Sequence, residues 1–190
     1  MFLINTKCRA TEKLENKLKI KKIKIGILGG SFDPAHKGHL AISKEALRKF
    51  NLKSIIWSIT KQNPFKKKSA NNLKKRILIC RNIIGKNKLI KVKYFEDIIN
   101  SNKTSDLVDH LNKNKKYELF FLMGADNLIS FHKWYKWRNI LSKTKLIVFD
   151  RHGYKKKSLN SKIYKRLGEK RVFFIKFNKV NISSSQLKKI

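Results

Sequence analysis

Apolar and polar positions in this chain alternate between two periods. Short runs rich in β-branched and aromatic residues are separated by longer stretches in which apolar residues recur every three or four positions. IKIGIL (Ile23–Leu28) is the first such run and reads as a buried strand ending at the glycine pair Gly29–Gly30. GHLAISKEALRKF then sets Leu40, Leu47 and Phe50 at helical spacing. SIIWSIT (54–60) predicts a second strand, KQNPFKKKSANN a polar loop, and LKKRILICRNIIG a helix closed by Gly85. LIKVKYF (89–95) alternates like a strand, and a helix is expected over 104–114.

YELFFLMG (117–124) is the most apolar strand, and helical segments follow through NLISFHKWYKWRNILSK. KLIVFD (145–150) predicts a strand leading into an Arg–His–Gly loop. A helix around 158–167, a last strand VFFIKF and a terminal helix beginning at SSS complete the pattern. Strands alternating with helices, without internal repeats, predict a single α/β domain over residues 23–190, a Rossmann-like doubly wound parallel sheet with right-handed crossovers. In such a sheet the ligand belongs at the carboxyl ends of the strands. Residues 1–22 read as a basic N-terminal extension with no assigned chemistry.

The loop after the first strand, GGSFDPAHKGHL, carries the densest chemistry. It runs from a strand end into a helix start, where free N–H groups and the helix dipole make an anion site. Gly29 and Gly30 allow a close backbone approach or a positive φ, and Pro34 stiffens the turn. His36 and His39, flanking Gly38, can face one phosphate cluster together. The loop is not the dinucleotide GxGxxG fingerprint, a Walker A loop or an HExxH zinc site.

Composition changes this picture little. Lys and Arg number 47 against 12 Asp and Glu, a formal charge of +35. A nucleic-acid partner is one reading of that excess. However, Lys, Ile and Asn dominate together, as A- and T-rich codons dictate, and the lysines scatter instead of forming a stripe. The charge therefore reads as composition, with a field that draws in small anions. Cys8 and Cys80 lie far apart without a CxxC, which fits reduced thiols and a cytoplasmic protein. No apolar run approaches the roughly 20 residues of a membrane span. The first 22 residues lack the apolar core of a secretory signal.

GGSFDPAHKGH closely resembles the signature of the HxGH nucleotidyltransferase superfamily, and ISSSQLKK (182–189) resembles its second signature. Within that superfamily the chain is similar to the bacterial nicotinate-nucleotide adenylyltransferases. NPFK (63–66) resembles their loop after the second strand, and Arg76 stands where they have an arginine heading a helix. GADNLISFHKWYKWRNIL (124–141) matches their GxDxLxxFxxWxxWxxI block, and LIVFDRHGY resembles the strand and turn that follow. The chain departs from the pattern in one stretch and at two single positions: Lys103, Thr104, Leu107 and Val108 keep only one Thr of a Tyr-Thr-x-x-Thr-Leu stretch, Ser185 replaces Thr, and Lys188 replaces Arg.

The resemblance implies adenylyl transfer from ATP to nicotinate mononucleotide, with pyrophosphate released in a step of NAD biosynthesis. It implies catalytic roles for His36, His39 and Lys188. It places Gly29, Gly30, Ser31, Phe32, Lys66, Thr104, Gly124, Asp126, Trp134, Arg151, Ile182, Ser183, Ser184 and Ser185 around the nucleotides. Asp126 would accept from ribose or amide groups, or simply cap a helix. Trp134 would stack on the pyridine ring, or be a core aromatic beside Trp137. Mg²⁺ would ride on substrate phosphates, with no protein-built metal site. Phosphopantetheine adenylyltransferase is the rival enzyme, and a basic nucleic-acid-binding protein the rival class. Small-molecule substrates, no specific nucleic acid and no membrane are the expected partners.

Overall fold

The computed structural model describes residues 21–62, 69, 71–151 and 153–176. Its strands are β1 (Ile23–Gly30), β2 (Ser54–Ile59), β3 (Ile90–Tyr94), β4 (Tyr117–Gly124), β5 (Thr144–Phe149) and β6 (Val172–Ile175). Between them run α1 (Lys37–Phe50), α2 (Leu73–Ile84), α3 (Glu96–Ile99), α4 (Thr104–Asn112), α5 (Ala125–Ser130), α6 (Trp137–Lys143), α7 (Lys155–Leu159) and α8 (Lys162–Leu167). Single 3₁₀ turns cover Phe131–Lys133 and Gly168–Lys170.

All six strands are parallel, in the order β3-β2-β1-β4-β5-β6. This is the doubly wound order, and its switch point lies between β1 and β4, where ligands bind in such sheets. The two-residue period of each strand divides the core between two faces. Ile25, Ile27, Phe121, Met123, Leu146 and Val148 pack on one side with Leu107, Val108, Leu128 and Ile140 from α4, α5 and α6. Leu28, Ile55, Trp57, Phe120, Leu122 and Ile147 pack on the other with Ala46 of α1 and Cys80 of α2. Gly26 sits where a Cβ would come within 2.7 Å of Ile55, so the close pairing of β1 and β2 requires a glycine there.

Differences from the predicted elements have local causes. β1 extends through Gly29 and Gly30, making the pair the strand's end instead of loop. The helical segments expected over 127–143 are present, and their boundary is local: Trp134 turns extended and Lys136 adopts φ 47°, which separates α5 and its 3₁₀ turn from α6. Around 158–167, the Ser161 hydroxyl accepts from the Tyr164 N–H at 3.3 Å and starts a new helix, α8. No helix among the described residues is long and apolar enough to cross a membrane.

Candidate active site

The chain leaves β1 through Ser31 and Phe32. Phe32 is buried at φ 48°, a left-handed conformation costly for a bulky residue. Packing holds it there: its ring stacks on Trp57 (5.0 Å between centroids, 17° between planes) and lies 4.9 Å from the His39 ring. His36 is the N-cap of α1, and its Nδ1 accepts the Gly38 N–H at 3.1 Å. The His36 N–H in turn donates to Nδ1 of His39 at 3.2 Å. The two imidazoles thus close a capping box normally built from hydroxyl and carboxyl groups. Because both Nδ1 atoms accept, each neutral ring carries its proton on Nε2. The ring centroids are 3.8 Å apart.

A second layer fixes this turn from below. The Trp57 indole N–H, in a fully buried side chain, donates to Ser43 Oγ at 2.8 Å, and Ser43 Oγ donates to the His39 carbonyl at 2.8 Å.

A cavity of about 410 Å³ opens at the carboxyl ends of β1, β2 and β3. Gly29 and Gly30 form part of its floor, and Phe95, Ile99, Leu107, Phe121 and Trp134 its apolar walls. Trp134 is half-buried, edge-on to Phe121 at 6.0 Å and tilted against Phe131 at 5.1 Å. It is both a packed aromatic and a cavity wall. Lys103 and Thr104, at the start of α4, bring the positive end of that helix to the rim. Gly29 and Gly30 have no positive φ; a Cβ on either would make only ordinary contacts at 3.5 Å, with Phe121 or Phe32. Their contribution is open space, not backbone conformation.

Asp126 lies in the first turn of α5, whose N-cap is Gly124, so it is not a capping residue. One carboxylate oxygen, Oδ2, accepts from Arg151 Nη1 at 2.7 Å. The other, Oδ1, is buried and has no hydrogen-bond partner among the described residues. A Cβ at Gly124 would collide with this oxygen, which explains the glycine two residues before the aspartate.

Two residues of this region escaped the sequence reading as site components. Arg76 is 1% exposed and donates to four backbone carbonyls, three just past the ends of β1 and β2 and one, of Asn71, just before α2. Its signal is position: Arg76, Cys80 and Ile84 are the buried residues of α2, four apart, and one of them is charged. Glu96 lines the cavity and accepts from the Lys61 N–H at 3.1 Å and from the Thr60 hydroxyl. One turn from Arg76, burial pushes the Cys80 thiol up to about 12, against the pull of the Arg76 charge. Among the described residues no group of three or more His, Cys, Asp or Glu side chains is arranged to hold a metal ion.

The structure thus gathers Gly29, Gly30, Thr104 and Trp134 into one cavity. Ser31, Phe32, His36 and His39 follow from the same strand end, and Gly124, Asp126 and Arg151 stand at the ends of β4 and β5. Lys66, Ile182, Ser183, Ser184, Ser185 and Lys188 lie outside the described residues.

The cytidylyltransferase-like family model matches residues 27–190. The probable nicotinate-nucleotide adenylyltransferase of Pelagibacter ubique is 62% identical over 178 residues, covering 94% of this chain and 99% of that protein. That of Agrobacterium fabrum is 35% identical, covering 78% and 80%. The solved structure of Plasmodium falciparum nicotinic acid mononucleotide adenylyltransferase, complexed with NaAD, has the same fold, with a TM-score of 0.70 at 21% identity over 87% of this chain and 82% of that one.

Proposed function

The chain belongs to the nicotinate-nucleotide adenylyltransferase family within the cytidylyltransferase-like group, and we propose that it joins the adenylyl group of ATP to nicotinate mononucleotide, giving nicotinate adenine dinucleotide and pyrophosphate. The mononucleotide's phosphate oxygen attacks the α-phosphorus of ATP. A new P–O bond forms there as the bond to the bridging oxygen of the β-phosphate breaks, and pyrophosphate carries away the electron pair. No protein nucleophile is needed, so catalysis is positioning and charge stabilisation.

The observation that carries this reading is the orientation of His36 and His39. Both Nδ1 atoms are occupied within the capping box, so Nε2–H is the donor of each ring that this reading assigns to the phosphates. Donors fixed before the reaction begins are worth roughly 10²–10³ in rate each. ATP enters as its magnesium complex, in which phosphate oxygens hold the ion. Asp126 Oδ1 is a ready acceptor for ribose hydroxyls. Trp134 offers its face to the pyridine ring, and the rim at Lys103 and Thr104 suits the ring's carboxylate. Lys66, Ser183–Ser185 and Lys188 supply further contacts to ATP. The buried Cys80 thiol fits a reducing cytoplasm.

A pyrophosphate-release assay with ATP tests the reading, comparing nicotinate mononucleotide, nicotinamide mononucleotide and phosphopantetheine as acceptors. Nicotinate mononucleotide is expected to give the highest kcat/KM. Faster turnover of phosphopantetheine would assign the chain to the rival activity.

A further inference from the structure

The carboxyl edge of the sheet holds a buried cation whose hydrogen-bond partners are all backbone. Arg76 donates from Nε to the Asn71 carbonyl at 3.1 Å, from Nη1 to the carbonyls of Ser31 at 2.6 Å and Thr60 at 2.8 Å, and from Nη2 to that of Lys61 at 2.8 Å. Ser31 is the first residue beyond β1, and Thr60 and Lys61 are the first two beyond β2. The final bond between these strands runs from the Thr60 N–H to the Gly30 carbonyl at 3.0 Å. Past it, the sheet no longer supplies donors, and buried carbonyls must find others. A planar guanidinium, with its donors spread in one fork, can collect acceptors from three chain segments at once.

Asn71 completes the arrangement. Its N–H and its Nδ2 both donate to Oδ1 of Asp33, at 3.2 and 2.8 Å. Asp33 is buried and stands three residues before His36. The loop from Ser31 to His36 is therefore tied at its first residue by Arg76, at its third by Asn71 and at its last by the histidine cap.

We propose that Arg76 and Asn71 are positioning residues, forming a brace across the β1–α1 loop that sets where His36 and His39 present their Nε2 atoms. This rests on the reaction proposed above. A residue that served stability alone would lower the melting temperature and leave the kcat of the folded protein intact. A brace acts on kcat, because a small misplacement of donors costs transition-state stabilisation without weakening ground-state binding. Arg76→Lys keeps a charge but offers a single nitrogen, so it separates the fork from the charge.

The test uses the full chain with Arg76→Lys, Arg76→Gln and Asn71→Ala. Melting temperature, kcat and KM for ATP and nicotinate mononucleotide are measured together. Long-range ¹H–¹⁵N spectra of the ligand-free protein report which nitrogen of each imidazole carries its proton. In folded Arg76→Lys, kcat should fall by about tenfold or more, and in Asn71→Ala by about threefold, with both KM values changing less than about threefold. The His36 and His39 signals should move away from the wild-type Nε2–H pattern in both variants. Wild-type kcat with unmoved imidazole signals overturns the brace, as does a change confined to KM or to melting temperature. Should both Arg76 variants fail to fold, Asn71→Ala decides by the same readouts. The spectra need no turnover, so a wild-type chain that releases no pyrophosphate would count against the reaction while the imidazole signals still judge the brace.

Discussion

Arg151 holds one oxygen of the Asp126 carboxylate at 2.7 Å, while the other oxygen is buried without a partner among the described residues. A buried acceptor left unpaired costs roughly 1–3 kcal/mol, and a substrate hydroxyl donating to it recovers that cost on binding. Asp126→Ala, which removes the acceptor, should therefore lower kcat/KM for ATP by about tenfold or more, near 1.4 kcal/mol. The ion pair itself lies near solvent, with side-chain exposures of 44% for Arg151 and 27% for Asp126. Such pairs contribute about 0–1 kcal/mol, so Arg151→Ala should leave stability nearly unchanged in urea titrations. A larger loss would make the pair structural.

The capping seen at the histidines and the phosphate contact proposed for them are separable by substitution. His36→Ala removes both the cap and the donor, and should lower kcat by about a hundredfold, near 3 kcal/mol. Asparagine is among the best N-caps, so His36→Asn should keep the stability of α1 while still losing the Nε2–H group. Its turnover should stay close to that of His36→Ala. A folded His36→Asn protein with wild-type kcat would remove the ring from the chemistry. His39→Ala should lose kcat by a similar factor if its Nε2–H meets the phosphates as proposed, since its Nδ1 is spent on His36.

How much of this was legible in the sequence differs by residue. The parallel sheet was readable because each strand is a short apolar run between helix-period stretches; the strand order and the register of β1 against β4 were not, because a two-residue period sets the face of a side chain and not its neighbour. The position of His36 and His39 at a helix start was readable from the glycines and proline around them. Their mutual capping was not, because it depends on a φ of −151° at His36 and on which ring nitrogen turns inward. The role of Arg76 was hidden for another reason. The resemblance marks its position, but its four acceptors come from residues 5 to 45 positions away, which no local pattern brings together. The division of 127–143 into two helices follows from a left-handed Lys136, a conformation that its residue type does not announce.

Cys80 should be chemically silent in the folded protein. Its thiol is raised to about 12 by burial, so the thiolate that reacts with alkylating agents is scarce at pH 8. The folded state holds this proton more tightly than the unfolded state. The stabilisation is complete below the ordinary thiol value near 9 and is lost as pH rises toward 12. Peptide mapping after iodoacetamide treatment at pH 8 should find Cys80 unmodified until urea unfolds the chain. Rapid labelling of the native protein would show that α2 opens readily.

The charge of +35 predicts a kinetic effect on small anions. Raising ionic strength from about 0.01 to 0.15 M shortens the screening length from about 30 to 8 Å. Steering of ATP should weaken accordingly, so kcat/KM falls while kcat stays nearly constant. A salt-independent kcat/KM would show that the lysines do not guide substrate. Gel-shift binding to a defined DNA or RNA sequence at physiological salt would show that they serve another partner.

Trp134 allows the cavity's role to be tested against simple packing. Its edge meets Phe121 at 90°, an arrangement that stabilises the core and leaves the indole among the cavity-lining residues. If the face takes the pyridine ring, Trp134→Ala should raise KM for nicotinate mononucleotide by about tenfold or more and KM for ATP by less than about threefold. Trp134→Phe, which keeps an aromatic surface, should fall between that variant and wild type. Binding should also be visible directly. Nicotinate mononucleotide should quench part of the tryptophan fluorescence of the wild-type protein, and that quenching should disappear in Trp134→Phe, although Trp57 and Trp137 remain. A core residue alone would behave differently: Trp134→Ala would lower the melting temperature, both KM values would move together, and the quenching would survive in Trp134→Phe. The selective loss of acceptor affinity is what assigns the pyridine ring to this wall of the cavity.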